Sequence, residues 1–566
     1  MKDRRRLLGK SIGTASALLI VCASLVAQPV TESQTKAVDA VFAKWNRSDS
    51  PGCALAIMQD GHIVYKHAYG MADLEHNSPI SPQTPFHVAS VSKQFTAAAV
   101  ILLAEDDKLS LDDEIHKYIP KLPRFQYPIT ISNLLHHSSG LRDQWDLLEL
   151  AGWRYSLDLI TNDDVFSVFS RQKGLNFRPG ERFLYSNTGY TLLGEIVSRV
   201  SGQSLRNFTT DRIFKPLGMN ATHFRDDHAE LIKGQAYGYQ PTKSGGWRLS
   251  VTNFDTVGAT SLFTTVEDLA LWDENFYQHR VGGPSFSDLM LRREHFNDGR
   301  VNPYAMGLIE GKYRGVTVIA HAGSDAGYRA YLVRFPELHF SVACLCNAGP
   351  SADPVLLSRK VADVFLDPSF RGAHPSPPQQ YVDVPTEQLR PKAGLYWNGQ
   401  INDVMELDIK DGKLSLLDGD ELLPLQALAS DRFFCEQDGA EIRFEPADSQ
   451  GKQKAVVIRS TGESNAYDFL PSWSSGSDQL NEFTGDYLSD EIDAIYRLAS
   501  SAGKLTISWL KHSARDLKPA GPDLFYNSDL TIQFVRDPHT GAVSGFVLST
   551  GRIQNMKFRK SPMTRE

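Results

Sequence analysis

"PFHVASVSKQFTAAAVILLAEDDKLSL", residues 85–111, sets Ser90 three positions before Lys93 and follows them with an apolar run, Ala97 to Leu103, too continuous for a surface helix. In a helix, positions i and i+3 share a face, so the two side chains project together from its first turn. A helix start offers unpaired N–H groups and the positive end of the dipole, both of which favour a developing oxyanion. A lysine buried there gives up its proton more readily than one in water and can act as a base. The competing reading is a capped helix with a solvated lysine. Ser-x-x-Lys starts at Ser33, Ser90, Ser170, Ser449 and Ser501, so the surroundings must sort the matches. "SQGK" and "SAGK" fall at turn positions. "SRQK" runs into glycine and "NFRPG" with no helix to carry it, and Ser33 lies just past an N-terminal leader.

That leader has the order of an export signal. Lys2, Arg4, Arg5 and Arg6 precede "SIGTASALLIVCASLVA", which ends in small residues near Ala27, so residues 1–27 are expected to be a signal peptide. "RRRLLG" resembles a twin-arginine signal, and a lipoprotein anchor through Cys22 is the weaker reading because Val21 stands where a small residue belongs. The expected destination is the bacterial periplasm or the medium, with no membrane span in the mature chain. At 566 residues the chain is too long for one ordinary domain. With 41% hydrophobic and 22% charged residues it can bury a real core. A net charge of −8 argues against nucleic acid as a partner. Cys344 and Cys346, two apart, would share one strand face and read as buried small hydrophobes, with no disulfide framework. No histidine and cysteine spacing resembles a zinc site, so no metal is expected.

Residues 52–70 read as a hairpin turning at Asp60-Gly61. Helical stretches follow at 188–200 and at 264–272, the latter with a capping box of Thr264 and Glu267. Strands crowd residues 303–347, and "DPVLLSRKVADVFL" closes with a helix. This order predicts an α/β (α+β) domain over 35–366, an antiparallel sheet flanked by helices. Residues 367–388, rich in proline, read as a linker. Beyond it the chain repeats. Gly394, Tyr396, Gly412-Lys413-Leu414 and Phe434 recur 91 residues later as Gly485, Tyr487, Gly503-Lys504-Leu505 and Phe525. Two barrel-like β-domains, 389–472 and 480–562, are the economical reading. The linker predicts that they carry their own cores and that a chain ending at residue 372 would fold without them.

Two further short motifs follow Ser90 and Lys93 in order. "YSN" supplies Tyr185 and Asn187, 95 residues past Ser90, and "HAG" supplies His321 and Gly323. With "LLHHSSGL" at 134–141, this set resembles the serine penicillin-recognising enzymes: class C β-lactamases, DD-carboxypeptidases, D-aminopeptidases and related esterases. "YWN" at Tyr396 and "HTG" at His539 are stray matches in the β-repeats. The resemblance implies an acyl-serine hydrolase without a cofactor. Ser90 would attack a carbonyl, while Lys93 and Tyr185 exchange the proton, with Tyr185 as base and later acid. Asn187 would hold the substrate's amide, His321 and Gly323 would line the facing strand, and Ser324 would add the second oxyanion N–H beside that of Ser90. Class C β-lactamases carry Lys-Thr-Gly where this chain has "HAG", so the expected substrates are D-residue peptides, amides or small esters. A β-lactamase proper and a binding protein that acylates without turnover are the alternatives. The paired barrels also resemble the three-domain layout of D-aminopeptidases.

Overall fold

A computed structural model describes residues 30–561 apart from 156, 371–380, 420, 437–438, 447–452, 460–462 and 474–476. The leader, Ser449 and residues 371–380 of the expected linker lie outside the described residues. The helices that matter are α1 (Glu32–Phe42), α2 (Lys93–Glu105), α3 (Gln144–Leu150), α4 (Asn162–Ser170), α5 (Asn187–Ser201), α6 (Val266–Gln278) and α7 (Pro354–Phe370). A six-stranded sheet is built from β1 (Cys53–Gln59), β2 (His62–Tyr69), β3 (Ile309–Tyr313), β4 (Val316–Asp325), β5 (Tyr328–Phe335) and β6 (Phe340–Cys346). Its order is β3-β4-β5-β6-β1-β2, with every pair antiparallel. The β1–β2 turn is at Asp60 and Gly61, both at positive φ (51° and 78°), as that dipeptide favours.

Period-two alternation gives the sheet two packed faces. Leu55, Ile57, Val333 and Val342 meet Val38 and Phe42 of α1 and Leu357 and Val361 of α7. On the other face, the small side chains Ala54, Ala56, Ala330 and Ala343 let α2 and α6 approach closely. Every residue of α2 from Lys93 to Leu103 is buried, which explains the unbroken apolar run Ala97–Leu103. Burying each large apolar side chain contributes about 1.5–3 kcal/mol, so packing rather than helix propensity holds it.

Three expectations change here. Cys53 and Cys346 face each other across β1 and β6 and form a disulfide, whereas Cys344 is free and buried as read. The partners are 293 residues apart, so local spacing could not reveal the pair. The cap of α6 is Thr265, whose hydroxyl accepts from the Asp268 backbone N–H, because Thr264 is taken into the strand Leu262–Thr264. Ser170 does sit on a helix, but at the last residue of α4, so Lys173 lies beyond the helix end.

The C-terminal region carries two barrel-like sheets. Nine strands from Gly394–Asn398 to Ser464–Leu470 curl but stay open between Glu421–Pro424 and Gln426–Ala429. Eight strands close fully where Gly485–Ser489 pairs with Met556–Lys560. The repeat is structural: the Tyr396 hydroxyl donates to the Lys392 carbonyl (3.0 Å), and Tyr487 does the same to Phe483 (2.8 Å). The phenylalanine match slips by one, since Phe433 rather than Phe434 is the core residue beside Phe525 in the repeat. The first barrel has its own core around Tyr396, Met405, Phe433 and Phe444. The second has a core around Tyr487, Phe525, Phe534 and Phe546 that is not separate. Its interior runs on into Leu147, Leu148 and Leu150 of α3 and Val165 and Val168 of α4, one core shared by both parts.

Candidate active site

Ser90 does not open α2 directly. It sits in a 3₁₀ turn, Ala89–Ser92, that flows into Lys93, and Ala89 before it takes the left-handed region at φ 48°. A non-glycine residue held there stores backbone strain of about 1–3 kcal/mol, a pattern that clusters at functional sites. The turn leaves Ser90 half-buried and Lys93 fully buried.

Lys93 Nζ has three acceptors: Ser90 Oγ at 3.0 Å, Asn187 Oδ1 at 2.9 Å and the Ala259 carbonyl at 2.7 Å. Two of these, the Asn187 oxygen and the Ala259 carbonyl, can only accept. They fix two N–H bonds, so the third tetrahedral position aims at Ser90 Oγ; in the neutral amine that position is the lone pair. Burial holds the Lys93 pKa well below the ordinary value, with Asp143 opposing this and Arg552 reinforcing it. The same Ser-x-x-Lys pattern at Ser33 also lies on a helix, α1, yet Lys36 is 74% exposed and pairs with Glu32. Burial, not the helix, separates site from decoy.

Tyr185 faces Lys93, whose Nζ lies 4.8 Å from the ring centroid. Burial pushes the Tyr185 phenol up, while its hydrogen bond with Ser90 and the Arg552 charge pull it back. Asn187 begins α5 and is turned inward. Its carbonyl oxygen takes Lys93, and its amide and backbone N–H both donate to Asp143 Oδ2 (2.8 and 2.6 Å). Asp143 in turn caps α3 by accepting from the Trp145 N–H. Both ends of the Asn187 side chain are therefore engaged within the protein.

His321 is buried on β4. Its Nδ1 contacts the Ala322 carbonyl (2.6 Å), which can only accept, so Nδ1 carries the proton and Nε2 accepts from the Tyr304 hydroxyl at 2.9 Å. Burial, aided by Lys93, depresses the His321 pKa to about 3, leaving it neutral across the physiological range. Gly323 is a packing residue: a Cβ there would lie 2.2 Å from the Val88 carbonyl oxygen, so only glycine lets β4 press against the Ser90 turn. β3 pairs with β4 only up to Ala320, which leaves the edge from His321 to Asp325 facing that turn. Ser324 is exposed on this edge. Gly323→Ala should displace the strand by a fraction of an ångström and cost ~10²-fold in acylation rate, since small misplacements of a reacting geometry are that expensive. Stopped-flow acylation beside a thermal melt checks this; an unchanged rate refutes the packing role.

The site thus brings Ser90, Lys93, Tyr185, Asn187, His321, Gly323 and Ser324 into one cluster. Sequence reasoning missed Asp143, Tyr304, His137, whose ring lies 4.2 Å from Tyr185, and Arg552. Asp143 follows "LLHHSSGL" by two residues and was within reach of that motif. Arg552 comes from the second barrel, and no local signal pointed to it.

A family model described as Beta-lactamase matches residues 37–365. A D-aminopeptidase of Gluconobacter oxydans is 28% identical over 308 residues, 54% of this chain and 58% of that one. Penicillin-binding protein 4* of Bacillus subtilis is 30% identical over 304 residues, 51% of this chain and 66% of that one. The match thus spans about three fifths to two thirds of these relatives' lengths. The solved octameric penicillin-binding protein homologue of Pyrococcus abyssi superposes with a TM-score of 0.54 at 26% identity, over 77% of this chain and 99% of that one.

Proposed function

The chain belongs to the beta-lactamase family of serine hydrolases, and we propose that it cleaves D-aminoacyl amides, D-residue peptides or small esters through an acyl-Ser90 intermediate. One observation carries this reading: a fully buried lysine with two N–H bonds held by Asn187 and Ala259 and its third direction aimed at the serine. In the proposed sequence Ser90 Oγ attacks the carbonyl carbon and its proton passes to the Lys93–Tyr185 pair. The N–H groups of Ser90 and Ser324 hold the oxyanion. Collapse breaks the C–N or C–O bond, and the leaving amine or alcohol takes the proton back from the pair, with Tyr185 as the acid. Water then repeats the cycle on the ester. Asn187 acts as a positioning residue for Lys93.

The named D-aminopeptidase and penicillin-binding relatives support the substrate class. So does His321. β-Lactams and D-Ala-terminated peptides present a carboxylate, and a neutral imidazole denies it the charge assistance that makes a hydrogen bond roughly twice as strong. Export into an oxidising compartment is part of the proposal and is supported by the basic-then-apolar leader and by the Cys53–Cys346 disulfide.

The test is kcat/KM on D-amino-acid amides, D-Ala-D-Ala peptides, p-nitrophenyl esters and a chromogenic cephalosporin. Amides or esters should lead, and His321→Lys should raise β-lactam acylation. Because the His321 pKa lies near 3, the amide-to-cephalosporin ratio should stay constant from pH 5.5 to 8. Cephalosporin turnover equal to the best amide, or a ratio that falls as pH drops through 6, defeats this reading.

A further inference from the structure

The loop between the last two strands of the second barrel reaches the catalytic pair. Arg552 on this loop lays its guanidinium over the Tyr185 ring, 5.2 Å from the centroid, with Nη1 3.8 Å from Asp143 Oδ2. The loop is held on both sides of this residue. The Asn176 side chain donates to the Arg552 carbonyl (2.9 Å) and accepts from the Gln554 N–H (2.8 Å). Arg182 donates to Gln554 Oε1 at 2.6 Å, and the Thr550 hydroxyl donates to Asp146 Oδ2 at 2.6 Å. A long side chain rooted in a loop clamped at four points is preorganised rather than a chance surface contact.

We propose that Arg552 is the fixed cation that keeps the Lys93–Tyr185 pair in its proton-accepting form, a positioning residue supplied by the second barrel. This rests on the acyl-Ser90 reading. The groups facing the pair are His137 beyond "LLH", Asp143 at the head of α3, Tyr190 on α5, Tyr304, His321 and Asp325 on β4, and Arg552. The two histidines are neutral, both depressed chiefly by burial. Asp143 opposes loss of the Lys93 proton, and so does Asp325 once ionised, burial having pushed its own carboxyl up to about 8. Arg552 acts the other way on both members of the pair, favouring the neutral amine and the phenolate alike. The conclusion therefore holds whichever of the two carries the shared proton, since coupled groups titrate as a pair. Burial works against the charge on Arg552 itself, but Asp143, Asp146 and Tyr185 outweigh it, so the cation persists.

The sign follows directly. The pair must be deprotonated to accept the Ser90 proton; without Arg552 it holds that proton to higher pH. The experiment uses the full chain and follows Ser90 labelling by a fluorophosphonate from pH 5.5 to 10. Arg552→Gln should move the acid limb up by about one pH unit, a roughly tenfold slower rate at pH 7 that recovers in alkaline buffer. Arg552→Lys should keep the wild-type limb, and kcat on an amide should change more than KM. Asn176→Ala, which frees the loop but keeps the charge, should give a smaller shift in the same direction, and it decides the matter should Arg552→Gln not fold. An unmoved limb in Arg552→Gln and Asn176→Ala, a rate lost equally at every pH, or an effect on KM alone overturns the proposal. Wild-type protein that stays unlabelled at Ser90 overturns the acyl-serine reading and this inference with it, whereas labelling with an unmoved limb overturns the Arg552 role alone.

Discussion

Ser90→Ala should lose ~10³-fold or more in turnover on every substrate class, with little change in melting temperature. A nucleophile's contribution is not replaced by binding alone, and what survives comes from the oxyanion donors and substrate positioning. Stability should hold because Ser90 is half-buried and its hydroxyl is only one of three acceptors for Lys93; Asn187 and Ala259 still hold two N–H bonds of the amine. Peptide mapping after fluorophosphonate or penicillin labelling checks the assignment. Ser138 is the best buried competitor, yet its hydroxyl is bound to Glu294 at 2.7 Å and has no lysine beside it among its hydrogen-bond partners. A tag on Ser138 or Ser170 with Ser90 untouched would falsify the assignment.

Removing the second barrel should destroy the catalytic part rather than merely widen its substrate range. A chain ending at residue 475 exposes Leu147, Leu148, Leu150, Val165 and Val168, which share a core with barrel residues such as Tyr496, Trp509 and Phe558. It also strips backbone partners: the Tyr496 hydroxyl donates to the Leu150 carbonyl and Trp509 Nε1 to that of Glu149. Arg142 and Glu491, 4% and 8% exposed, form a 2.6 Å ion pair across the same boundary. Losing one partner of a buried pair costs about 3–5 kcal/mol, a large share of the ~5–15 kcal/mol by which a domain is stable. The truncated chain is therefore expected to be insoluble or unlabelled at Ser90, and Glu491→Ala in the full chain to lower the melting temperature by several degrees. Soluble, labelled truncated protein would restore the simpler picture drawn from the linker, in which each part folds alone.

That reversal marks the boundary between what the chain states locally and what only the fold decides. The hairpin at Asp60-Gly61, the apolar run of α2, the strand block before Cys346 and the 91-residue repeat were all legible, because each is written in periodicity, turn chemistry or recurrence along the chain. So was the candidate cluster: Ser90 with Lys93, Tyr185 and His321 are named by short motifs in a fixed order. Their conditions were not. Whether a lysine is solvated, like Lys36, or buried with its pKa lowered, like Lys93, depends on which distant groups surround it, here Asn187 and Ala259. The Cys53–Cys346 bond, the depressed pKa of His321, the shared core and the reach of Arg552 to Tyr185 likewise join residues far apart in the chain. Sequence alone determined which chemical groups the protein owns and the local elements that carry them. Tertiary structure decided their charge states and partners, because desolvation and close approach are properties of the packed whole.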